Sequence, residues 1–220
     1  MSDNKKLIWD IPTRLFHWAI VLTLGYSWFS MEIQNNLEMH FLSGYVALGL
    51  IVFRIIWGLI GTRYAKISSF LFSPSQIVNY AKTLLSKDSR QYAGHNPLGG
   101  LSVLALLVFI AVQAGTGMFA DDEFYFFAPL NKFVSPAMAG SITEFHGLSA
   151  KILLGLSIVH IIAIVFYRFY KKEALVKAMF TGKKIDESGR FEAIAGSGLL
   201  RATVLALIVG AAVYAVVNYV

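Results

Sequence analysis

The chain has 220 residues, 56% of them hydrophobic and only 15% charged, with a mean hydropathy of +0.61 and a formal net charge of +6. A soluble domain is usually about 45–50% apolar and about 25% charged, so this composition excludes a soluble globular protein and points to an integral membrane protein. The absence of cysteine excludes disulfides, thiolate metal sites and covalent haem attachment through Cys-x-x-Cys-His.

The first 13 residues are polar, with Lys5 and Lys6 ahead of Trp9, and no small-residue cleavage site follows the first apolar run. That run, 14–31, is therefore expected to be a retained span rather than a removed signal. A second span is expected over 39–60. Ser73-Pro74 then opens a short cytoplasmic helix, in which Ile77, Ala81, Leu84 and Leu85 form an apolar stripe beside Lys82, the pattern of a segment lying on the membrane surface. Asn96-Pro97 supplies an N-cap and a first-turn proline for a third span over 98–119. The fourth span covers 143–169, Lys171 to Phe180 closed by Gly182 reads as a second surface helix, and the fifth span covers 196–218. Each span can cross a hydrocarbon core about 30 Å thick, which takes about 20 helical residues. Helices satisfy their own backbone polar groups in lipid, so the expected fold is an all-α transmembrane helical bundle. Neither an internal repeat nor a low-complexity tract is present.

Charge sets the expected orientation. Lys5, Lys6 and Arg14 precede or open span one; Arg63, Lys66, Lys82, Lys87 and Arg90 lie between spans two and three. Arg168, Lys171, Lys172, Lys177, Lys183, Lys184 and Arg190 follow span four. The opposite loops carry Glu32, Glu38, Asp121, Asp122 and Glu123, with Lys132 as their lone basic residue. By the positive-inside rule the N-terminus is cytoplasmic and the C-terminus periplasmic, in a bacterial inner (plasma) membrane. The basic loops then face anionic lipid, and nucleic acid is not the natural partner.

Four histidines fall inside or at the edge of spans, where an ionisable side chain suggests function by default. In span four His146 and His160 are fourteen residues apart, about 21 Å along the axis and on nearly the same face. His17 lies a few residues into span one, on the inner side with His160; His40 opens span two, on the outer side with His146. Two stacked imidazole pairs result. A lone histidine could simply bond across a helix interface; two depth-matched pairs are harder to explain that way. Zinc normally takes four ligands, yet no acidic residue lies within any apolar span at the depth of His160, and Glu144 is only marginally near His146. Two histidines with nothing else suit a metal whose remaining ligands come from a macrocycle, so the expected cofactors are two non-covalent haem b groups with bis-histidine ligation. Both axial positions are then filled, and the task becomes electron transfer. His95 falls outside this pattern.

Supporting residues follow from helix geometry. Gly44, one turn after His40, and Gly147 and Gly155 in span four lower the helix wall for a flat ring, although close helix packing would also use them. Arg14, one turn before His17, and Arg54, fourteen residues after His40, are candidate partners of the inner haem's propionates, with Lys151 near the outer one. Snorkelling to headgroups is the alternative for Arg14. Trp9, Trp18, Trp28, Trp57 and the run Phe124-Tyr125-Phe126-Phe127 read mainly as an interfacial belt. Met39 could ligate iron by residue type, but it points to a different helix face from His40.

The stretches WDIPTRLFHW (Trp9–Trp18), FRIIWGLIGTRYA (Phe53–Ala65), GHNPLGGLSVLALL (Gly94–Leu107) and GTGMFADD (Gly115–Asp122) resemble the prokaryotic di-haem b-type cytochromes. This b561-type group includes the cytochrome b subunit of nickel-iron hydrogenases, and the similarity covers about residues 7–184. The resemblance implies a four-helix haem-binding core with axial histidines on helices one, two and four, which carry over as His17, His40, His146 and His160. It also implies a redox partner: a membrane quinone, a periplasmic c-type cytochrome, or a dehydrogenase or hydrogenase subunit. The expected division is a di-haem membrane domain over 1–184 and a linker with an additional transmembrane helix over 185–220, the fifth helix departing from the family core. The expected function is a membrane cytochrome b carrying electrons across the membrane, alone or within a quinone-linked oxidoreductase. The competing readings are a histidine-relay transporter of metal ions or protons and a non-redox membrane anchor. Donor, acceptor and oligomeric state are left open by the sequence.

Overall fold

Helix boundaries fall where side chains can meet the loose backbone groups of a first or last turn. In the computed structural model, which describes residues 4–86, 91–122, 127–186 and 188–219, the elements are β1 (Lys5–Leu7), α1 (Ile11–Glu32), α2 (Leu37–Ile60), α3 (Pro74–Lys82), α4 (Pro97–Gly117), α5 (Pro136–Phe169), α6 (Leu175–Thr181), β2 (Lys183–Ile185) and α7 (Leu199–Tyr219). Lys87, Arg90, Glu123 and the aromatics Phe124, Tyr125 and Phe126 lie outside the described residues. Asp10 opens α1 by accepting the Thr13 amide at 2.7 Å. Asn36 opens α2 by accepting the Met39 amide at 3.0 Å. Ser73 and Gln76 close a capping box on α3, and Asn96 accepts the Gly99 amide at 2.8 Å to start α4.

Two elements differ from expectation. Helix α5 begins at Pro136, ahead of the expected 143, because Ser135 caps it with a 3.3 Å bond from the Met138 amide; its small residues extend the helix beyond the strongly apolar stretch. Helix α6 begins at Leu175 rather than near Lys171, since Lys172 adopts a left-handed φ of 61° that interrupts the helix. Gly182 closes α6 as expected, at φ 78°.

Helices α2, α4, α5 and α7 are long and apolar enough to cross a membrane. Helix α1 has 22 residues, but Arg14, His17, Thr23, Ser27 and Ser30 dilute its hydropathy and it is not among them. The fold is a helical membrane bundle. Its contacts cluster into two compact units: Met1–Leu15, Ile56–Ala105 and Leu156–Ala202 form the first, and Phe16–Ile55, Leu106–Gly155 and Thr203–Val220 the second.

In the first unit β1 and β2 pair antiparallel, Lys6 opposite Lys184, beside a core of Ile8, Trp9, Ala178 and Phe191. The Asp10 carboxylate is 1% exposed. Besides capping α1, it accepts the Trp57 indole N–H at 3.2 Å and the Thr62 hydroxyl at 2.5 Å. One carboxylate thereby joins the start of α1 to the end of α2. Gly198, at φ 62°, lets the chain press on the Trp57 ring as it enters α7; a Cβ there would stand 2.8 Å from Cη2. Helix α3 docks through Tyr80, whose hydroxyl lies 2.9 Å from that of Tyr167 on α5. Burial, with the Tyr167 hydrogen bond adding to it, raises the Tyr80 hydroxyl well above its usual range. The expected α3 stripe is thus only partly the docking face: Ile77 and Leu84 are half-buried, Ala81 and Leu85 are exposed, and Tyr80 is the buried contact. Lys184 reaches the Tyr92 carbonyl at 2.7 Å and Glu173 at 3.5 Å; burial lowers its ammonium, with the Glu173 carboxylate opposing the shift.

In the second unit α7 packs on α2 where a Cβ at Gly49 would meet Val213 at 3.9 Å. Ala202, Leu205 and Val209 form the buried stripe of α7, while Leu200, Leu207 and Ile208 are exposed.

Candidate cofactor site

The geometry starts from α5. Its inward stripe runs through Ser149, Leu153 and Tyr167, all buried, and half-buried His146 and His160 fall on the same stripe at heptad-like spacing. The two histidines share one face of the helix, as fourteen residues at 3.6 per turn require.

In the second unit His146 meets His40. Their ring centroids are 6.1 Å apart with planes at 87°. Two imidazoles sharing one metal at about 2 Å metal–nitrogen distances would have centroids roughly 6 Å apart. The hydrogen bonds also fix which nitrogen of each ring is available. The Nδ1 of His40 lies 3.0 Å from the Ser27 carbonyl. A carbonyl oxygen can only accept, so Nδ1 carries a proton, with the Ser27 hydroxyl also 3.2 Å from it; in the neutral ring the lone pair then falls on Nε2. At His146, Nδ1 lies 3.0 Å from the Thr116 hydroxyl. Thr116 spends its single proton on its own helix, 2.8 Å from the Val112 carbonyl, so its oxygen accepts from Nδ1–H. The amide nitrogen of Gln113 stands 2.8 Å from the His146 Nε2. An amide N–H can only donate, which again makes Nε2 the lone-pair nitrogen. Gln113 is itself oriented by Ser149, whose hydroxyl donates to the amide oxygen. Both rings therefore hold the tautomer of a metal-ligating histidine whose other nitrogen is anchored to protein. A metal bound at the His146 Nε2 would compete with Gln113 for that lone pair, so ligation displaces this one hydrogen bond.

Helix α4 carries no histidine, yet one of its faces builds the surroundings of His146. Gln113 and Thr116 bond the ring, and Gly117 makes room for it, since a Cβ there would lie 3.1 Å from Cε1. Inspection of ionisable residues alone passes over this face, although a glutamine and a threonine four or fewer residues apart in an apolar span are the signal that finds it.

The other expected residues are placed as follows. Gly44 has no atom within 4 Å of where a Cβ would stand, which leaves space one turn from His40. Gly147 and Gly155 are exposed. Arg54 is 3% exposed and lies over the Phe16 ring at 5.9 Å, beside His17 in sequence. His17 is half-buried, edge-on to Trp18 at 4.9 Å. His17 belongs to the second unit and His160 to the first. Arg14, in the first unit, donates to the Phe180 carbonyl at the end of α6. Lys151 is exposed. His95 sits between Trp9 at 4.9 Å and Phe70 at 5.1 Å, in an aromatic setting rather than a ligand set. Among the described residues, no group of three or more His, Cys, Asp or Glu is placed to hold a metal ion. The donor set at His40 and His146 is two imidazoles, which fits an iron already held by a porphyrin.

The sequence profile of the prokaryotic cytochrome b561 family matches residues 8–182. Similar proteins include the "Probable Ni/Fe-hydrogenase B-type cytochrome subunit" of Azotobacter chroococcum mcd 1, at 24% identity with 83% of this chain and 90% of that protein covered. The protein of the same name from Azotobacter vinelandii is similar to the same degree, 24% over 83% and 90%. The one from Rhizobium leguminosarum bv. viciae is 20% identical over 81% of this chain and 88% of its own. No solved structure matches the chain. With the profile running from the β1–α1 junction through α6, the chain belongs to the prokaryotic cytochrome b561 family.

Proposed function

We propose that this membrane cytochrome binds two b haems, one between His40 and His146 on the periplasmic side and one between His17 and His160 on the cytoplasmic side. Its function on this reading is to carry electrons across the inner membrane between a hydrogenase, dehydrogenase or quinone and a c-type cytochrome or other acceptor. The observation that supports it most is the His40–His146 pair, 6.1 Å apart with both Nδ1 atoms anchored. The second pair is drawn from depth in the sequence. When bound, haem iron supplies one-electron chemistry that no side chain here could provide. The chain's own part is to fix ring orientation, keep water out and supply charge. The Ser27 carbonyl and the Thr116 hydroxyl hold the rings against rotation. The apolar helices lower the local dielectric, and buried Arg54 is the cation best placed to balance a propionate within the bundle. Arg14 engages the Phe180 carbonyl, so any propionate contact from it would share the guanidinium.

The relatives' names favour a hydrogenase as the partner. Membranes containing this chain and its partner hydrogenase are expected to show reduction of the b-type bands when hydrogen gas is admitted. If hydrogen reduces an added dye through the same hydrogenase but leaves those bands oxidised, the hydrogenase assignment is wrong.

A further inference from the structure

The two rings of the periplasmic pair are anchored differently. His40 gives its Nδ1 proton to the main-chain carbonyl of Ser27 at 3.0 Å, which no substitution can remove, with the Ser27 hydroxyl a longer 3.2 Å from the same nitrogen. His146 gives its proton to a side chain, the hydroxyl of Thr116 on α4, at 3.0 Å. That hydroxyl is committed by its own bonds: it donates to the Val112 carbonyl at 2.8 Å, or to that of Gln113 at 3.2 Å, which turns a lone pair toward the imidazole. Gly117, one residue further, admits the ring edge to within 3.1 Å of where a Cβ would stand. The nearest acceptor behind His146 is thus one that a substitution can remove, whereas the nearest behind His40 is main chain.

We propose that Thr116 is a positioning residue that sets the electron-donating power of His146, and through it the redox potential of the periplasmic haem independently of the cytoplasmic one. A hydrogen bond accepted from Nδ1–H pushes electron density toward Nε2. The richer ligand favours ferric over ferrous iron and so lowers the potential. Removing the acceptor should raise it. The inference rests on the reading that His40 and His146 bind one haem.

The test compares redox titrations and low-temperature spectra of the full-length protein, purified in detergent, as wild type, Thr116→Val and Thr116→Ser. The periplasmic centre is identified as the one lost in His146→Ala. Thr116→Val keeps the shape of the side chain without the hydroxyl. It should shift the ferric-to-ferrous binding ratio by about tenfold, an upward change of about 59 mV for a one-electron couple, in that centre alone. Thr116→Ser restores the hydroxyl and should return the potential toward wild type. If Thr116→Val sheds the periplasmic haem while Thr116→Ser retains it at its normal potential, the role of the hydroxyl is equally supported. Two loaded centres with unchanged potentials in Thr116→Val would overturn the inference and leave the ligation reading intact. So would equal shifts in both centres, or loss of haem in both variants, which would mark a packing role. Loss of no centre in His146→Ala would instead sink the ligation reading itself.

Discussion

On the proposed pairing, His40→Ala and His146→Ala should each remove the same one of two b-type centres and halve the haem content of the purified protein. If the two imidazoles hold one iron, both would be required, because a single remaining histidine would leave the group short of a protein ligand in an apolar bundle. Loss of an outer hydrogen-bonding partner alone typically costs about 10–100-fold in metal affinity, and loss of a ligand costs more. His17→Ala and His160→Ala should remove the other centre. Pyridine haemochrome assay and redox difference spectra read the result directly. Loss of different centres from His40→Ala and His146→Ala would break the pairing, although their rings stand 6.1 Å apart.

The second large effect involves no histidine. Asp10→Ala removes a carboxylate that caps α1 and accepts both the Trp57 indole and the Thr62 hydroxyl, at a site 1% exposed. A lost N-cap costs about 1 kcal/mol, and a buried donor deprived of its acceptor costs about 1–3 kcal/mol more. The expected destabilisation is roughly 3 kcal/mol, seen as a lowered midpoint when the protein in detergent is heated and followed by circular dichroism. Asp10→Asn keeps the cap acceptor and should lose less. A midpoint unchanged in Asp10→Ala would mean that the α1–α2 junction is held by the Trp57 and Gly198 packing instead.

Asp10 also shows how the motifs quoted from the sequence work as structure. WDIPTRLFHW and FRIIWGLIGTRYA resemble the family as separate strings, yet Asp10 of the first bonds Trp57 and Thr62 of the second. Within GHNPLGG, Asn96 caps α4, and Gly100 lets its backbone approach the Phe70 carbonyl. Gly117 of GTGMFADD makes room for His146. The last four of the five expected spans, the Ser73 and Asn96 caps and the shared face of His146 and His160 were legible because each follows from local spacing and hydropathy. The partners of those histidines were not. Ser27 anchors His40 through a main-chain carbonyl that any residue could supply, and Thr116 or Gln113 becomes meaningful only once α4 is known to lie against α5. The same limit explains Arg14. Its position one turn before His17 suggested a propionate, but the chain returns through α6 and offers the Phe180 carbonyl. For α7, hydropathy gave the helix, while its entry depends on Gly198, whose role appears only when Trp57 is in place.

Imidazole-ligated haem at two levels of the bundle is the central expectation. The most direct measurement is the dithionite-reduced-minus-oxidised spectrum of the purified protein from haem-replete cells, with the haem counted per chain and the oxidised iron examined by electron paramagnetic resonance. The expected result is b-type bands, two haems for each polypeptide and low-spin ferric signals from both. A colourless protein, or a single haem that survives replacement of His40 and His146 together with replacement of His17 and His160, would contradict it.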